Sequence, residues 1–119
     1  MNKQNDNKNP PPPRTFTQFA ERFPKLEEAW SLLGEAGGEG PLDAKTVRLI
    51  KLAVSMGNMS SGQVRSGVRK SLALGIAREE IEQVVAIAAG SVGLPSTAAL
   101  YSWVKSVLDR PDGPRDGCC

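Results

Sequence analysis

Gly75-Ile76-Ala77-Arg78-Glu79-Glu80-Ile81-Glu82-Gln83-Val84-Val85 is the stretch that decides the fold. Gly75 is a stop signal, because glycine adopts the left-handed backbone that closes a helix. Glu79 and Glu80 then sit where a first helical turn exposes its N–H groups and favours negative charge. Ile81, Val84, Val85 and Ala88 follow at the spacing of one helical face. One helix ends at this stretch and another begins.

The same grammar extends in both directions. Toward the C-terminus, Gly90, Gly93 and Pro95 mark a turn into a last helix, with Leu100, Trp103, Val104, Val107 and Leu108 facing inward. Upstream, Val64, Val68 and Leu72 recur four apart on a helix that Ser60 or Ser61 can cap. Asp43 is placed to cap the helix before it, where Val47, Ile50 and Val54 share a face widened by Leu49, Leu52, Ala53 and Met56. So wide an apolar surface predicts a helix buried on more than one side. Phe16, Phe19, Ala20 and Phe23 make a short stripe. Pro24 then opens a helix carrying Leu26, Ala29, Trp30 and Leu33, which stops before Gly37-Gly38-Glu39-Gly40-Pro41. No period-two alternation appears, so the expected fold is all-α, a bundle of about five or six helices.

Three parts are expected: a polar and Pro-rich arm over residues 1–14, a helical domain over 15–109, and a flexible tail over 110–119. Pro10 to Pro13 reads as a stiff spacer or, alternatively, a Pro-rich docking ligand. The 119 residues carry 39% hydrophobic and 24% charged side chains and a net charge of +2. Two Trp, one Tyr and three Phe give too few aromatics for a basic, base-stacking surface, so no nucleic-acid partner is expected. No apolar run approaches the ~20 residues of a membrane span. The N-terminus has no secretory hydrophobic segment either, and a cytoplasmic location is the default expectation.

Three motifs carry a family resemblance. Leu49-Ile50-Lys51-Leu52-Ala53, the Gly75 to Val84 stretch, and Gly93-Leu94-Pro95 followed by Ala98-Ala99-Leu100 together resemble the carboxymuconolactone decarboxylase and alkyl hydroperoxidase D family. The resemblance implies an alkyl hydroperoxidase D-like helical bundle that self-associates as a homo-oligomer, a trimer or hexamer. The peroxidase branch implies a glutamate, a C-x-x-C pair and a histidine: a thiolate attacks, its partner resolves, and Glu with His moves protons. Carried over by the spacing to Gly75, the acid falls at Arg48, the cysteines at Ser60 and Gln63, and the histidine at Gly67. The decarboxylase branch also places a histidine at the Gly67 position. The sequence holds no histidine, and its two cysteines are Cys118 and Cys119. The expectation is therefore a catalytically degenerate domain acting as an oligomeric ligand-binding or structural protein.

The alternative is an enzyme of altered chemistry. It would be either a peroxidase-like oxidoreductase using Cys118 and Cys119 or a lyase-like pocket in which Arg48 holds an acidic substrate. Arg65 and Arg69 lie one turn apart, and Arg48 would join them if the family's packing holds. They form either a pocket for a small carboxylate or phosphate ligand or a solvated basic face. Ser60 and Gln63 offer neutral hydrogen bonds to such a ligand, though Ser60 serves equally as a helix cap. No metal site and no cofactor is expected: Glu79, Glu80 and Glu82 point in different directions and no histidine completes a shell.

Overall fold

The computed structural model describes residues 14–110, so the Pro10 to Pro13 spacer and the terminal Cys118 and Cys119 lie outside the described residues. Six helices run in order: α1 Arg14–Arg22, α2 Pro24–Gly37, α3 Ala44–Gly57, α4 Ser61–Ala73, α5 Arg78–Val92 and α6 Leu94–Leu108. Their boundaries follow from the expected punctuation. The Thr46 N–H donates to Asp43 Oδ1 at 2.9 Å, so Asp43 caps α3. The Gln63 N–H donates to Ser60 Oγ at 3.4 Å, which makes Ser60 the α4 cap. Ala77 brings no polar side chain to α5, and Glu80 compensates by accepting the Ala77 N–H at Oε1, 3.0 Å away. Its other oxygen, Oε2, lies 2.6 Å from Lys45 Nζ, tying the start of α5 to α3. Both interactions hold the Glu80 carboxyl below its ordinary range, the ion pair with Lys45 more than the cap.

The core lies among α3 to α6. α3 packs on α4 and α5, and α6 packs across both of those. Leu52, Met56, Val64, Val68, Ile81, Leu100 and Val104 are fully buried there. Ser71 is buried among them and satisfied, its hydroxyl donating to Gly67 O at 2.7 Å; Ser55 donates likewise to Leu52 O. Gly75 and Gly93 turn the chain with φ of +89°, a conformation side chains resist.

Two expectations are corrected. α3 is buried on one face rather than on several, because Leu52, Ser55 and Met56 face the core while Ile50 and Val54 face outward. The apolar stripes of α1 and α2 contribute no buried residue at all; these helices pack chiefly on one another. Trp30 is 60% exposed and Leu33 70%. An apolar stripe reports that a face requires cover, and the described residues of one copy do not supply it.

Candidate functional site

The site begins with a close approach of two helices. Gly67 is buried on α4 against α3. A β-carbon added there would stand 3.0 Å from Leu52 Cδ1 and 3.8 Å from Arg48 Nη2. Arg48, on α3, thus lays its guanidinium beside the one buried position of α4 that has no side chain. The Nε of Arg48 is buried and has no hydrogen-bond partner among the described residues. Burial pushes its pKa down, since a dehydrated cation is disfavoured. Such a donor costs free energy as it stands.

Lys70 follows Gly67 by three residues, on the same side of α4, and is half-buried. Its amine is held below the usual lysine range by burial first, then by the charges of Arg48, Lys51 and Arg69. Lys51 lies three residues beyond Arg48 on α3. Neither α3 nor α4 contains an aspartate or glutamate. Two facing helices therefore bring together four cations with no acid of their own.

The residues expected from sequence divide. Arg48 and Arg69 join this cluster. Arg65 does not share its orientation: its Nε donates to Ser106 Oγ on α6 at 3.3 Å, and Ser106 in turn donates to Trp103 O. Arg65 works as an α4–α6 strap. Ser60 is engaged as the α4 cap, and Gln63, four residues before Gly67, is exposed at the edge of the same face. Lys51 and Lys70 were not singled out from sequence, because a lone lysine ordinarily stays solvated. Their three-residue offsets from Arg48 and Gly67 were the available signal.

A concavity lies on another face of α3. Thr46, Leu49, Ile50 and Ala53 meet Gln83, Val84 and Ile87 of α5 around an open, mostly apolar groove of about 320 Å³. The Lys45–Glu80 pair stands at its polar edge. Its lining holds no cysteine, serine or histidine, and Thr46 brings its one hydroxyl. Among the described residues no cluster of three or more His, Cys, Asp or Glu could hold a metal ion, and no helix is long and apolar enough to cross a membrane.

A family model described as the carboxymuconolactone decarboxylase family matches residues 24–106, well over half of the chain. Comparison with curated proteins and with solved structures gives no match.

Proposed function

From the premise that the chain belongs to the carboxymuconolactone decarboxylase family, we propose that it is a catalytically degenerate member that binds a small acidic ligand at Arg48 and works as a homo-oligomer. One observation carries the ligand reading: the half-buried Arg48 guanidinium is laid against Gly67 between two helices that carry no acid. A guanidinium beside further cations is complementary to an anion, which would accept from its remaining N–H groups and offset the local charge. The position where the resemblance expects a proton-moving carboxylate holds a cation. The expected histidine position is Gly67, and the thiol positions are Ser60 and Gln63. Serine without a base is a poor nucleophile, so these positions support binding and not thiol chemistry.

Reduction of an organic peroxide, measured with the full chain and a thiol reductant, is expected to give no turnover above the reductant alone. Turnover abolished by Cys118→Ser with Cys119→Ser would replace this reading with a tail-thiol peroxidase.

Self-association is supported by what one copy leaves uncovered. Phe19 on α1, Phe23 at the junction, and Leu26, Trp30 and Leu33 on α2 are exposed, and so are Ile50 and Ile87 at the α3–α5 groove. Soluble monomers rarely leave patches of that kind in water. A trimer or hexamer of this chain would bury them. Sedimentation of the wild type is expected to give a closed oligomer, and Trp30→Glu with Leu33→Glu to give smaller species. A wild type that sediments as a monomer at micromolar concentration would end this part of the proposal.

A further inference from the structure

Two apolar surfaces of one copy lack cover, and they are built to the same measure. On α2, Leu26, Trp30 and Leu33 lie at i, i+4 and i+7, and all three are exposed. The groove repeats that spacing on both of its walls. Thr46, Ile50 and Ala53 form one wall on α3, and Glu80, Val84 and Ile87 form the other on α5. At 1.5 Å per residue each of the three runs is about 10 Å long, so one helix laid between the walls meets both along their length.

Charge agrees with length. α2 holds Glu27, Glu28 and Glu35 against Lys25, whereas α3 holds Lys45, Arg48 and Lys51 and no acid. Of the three acids that open α5, Glu80 is already paired with Lys45 and Glu82 with Arg78. An acidic helix therefore meets its opposite sign on the α3 side of the groove. The hairpin of the same copy does not fill this place. α1 and α2 pack chiefly on one another, Gly37-Gly38-Glu39-Gly40-Pro41 separates them from α3, and Trp30 and Ile87 are both more than half exposed.

Resting on the self-association proposed above, we infer that the α1–α2 hairpin of one copy docks in the α3–α5 groove of the next, with Leu26, Trp30 and Leu33 facing its walls. The interface is heterologous: each copy offers one hairpin and one groove, and the series of contacts is completed by closing into a ring. Trp30 is its anchor, because large aromatic side chains dominate the energetics of desolvated interface pockets. The groove of about 320 Å³ is then a seat for a second copy rather than for a small ligand.

Cross-linking of the full chain tests the pairing. Two forms are co-expressed, both with Cys118→Ser and Cys119→Ser, one with Ala29→Cys and an affinity tag, the other with Ala53→Cys. Ala29 lies on α2 beside the stripe, Ala53 lines the groove, and both are exposed. A short bis-maleimide is expected to join the two forms to each other several-fold more than it joins either to itself. In sedimentation, Ile50→Glu with Ile87→Glu should give the same smaller species as Trp30→Glu with Leu33→Glu. These side chains are exposed in one copy, so the far-UV circular dichroism of both variants should stay helical. An assembled wild type with no mixed cross-link overturns the docking while self-association stands. A groove variant that keeps the wild-type size does the same and leaves the groove to another occupant. A wild type that sediments as a monomer ends both.

Discussion

Arg48→Met should leave the ligand-free protein more stable than the wild type, by about 1–2 kcal/mol in denaturant unfolding, while removing anion binding. Methionine retains the apolar stem of the arginine and deletes a guanidinium whose buried Nε has no partner among the described residues. The desolvation cost goes, and little packing goes with it. A second contribution comes through Lys70. Its folded pKa lies below the ordinary lysine value, so between that lowered value and 10.5 the unfolded chain holds the proton more tightly. The penalty is fully present below the folded pKa, and wild-type stability rises as pH climbs toward 10.5. Arg48 is one cause of the Lys70 shift, so Arg48→Met should flatten that rise. A side chain whose removal stabilises the fold and abolishes binding is one retained for its ligand. A variant less stable than wild type by about 1 kcal/mol would instead make Arg48 structural and leave the anion site without its central evidence.

The helices were legible in the sequence because their signals are local. Asp43, Ser60, Pro24 and Gly75 act within a turn of where they stand, and each ends or starts a helix as its chemistry dictates. Stripes such as Val64 with Val68, and Leu100 with Val104, reached the core for the same reason. What covers a stripe is not local information. Trp30 and Leu33 have the same helical spacing as buried residues and yet remain exposed, as do Ile50 and Val54 on α3. Periodicity counts apolar side chains and is silent on which copy of the chain covers them. The site divides along the same line. Arg48 was recoverable from its offset to Gly75. The pairing of Arg65 with Ser106, 41 residues away, depends on how α6 crosses α4. The difference between Lys70, held in the cluster, and a lysine such as Lys105 depends instead on how α4 meets α3. Only the Gly67 approach reveals it.

Leu52→Ala should cost about 2–5 kcal/mol and should disclose why position 67 carries no side chain. Leu52 is fully buried, and its Cδ1 fills the volume that a β-carbon on Gly67 would enter at 3.0 Å. The contact at risk is the tip of a side chain rather than backbone, so the exclusion depends on leucine being present. In the wild type, Gly67→Ala combines the better helix propensity of alanine, about 1 kcal/mol, with a crowded contact that cancels some or all of it. In the Leu52→Ala background the crowding is gone and the added methyl occupies part of the cavity. Gly67→Ala should therefore stabilise Leu52→Ala by about 1 kcal/mol or more while giving the wild type clearly less. The two sites touch, so departure from additivity is the expected signature. Unfolding midpoints of the four proteins in the cycle measure it. Equal gains in both backgrounds would mean that Leu52 does not exclude a side chain at 67, and that the close approach of α3 and α4 is set by the Arg48 guanidinium instead.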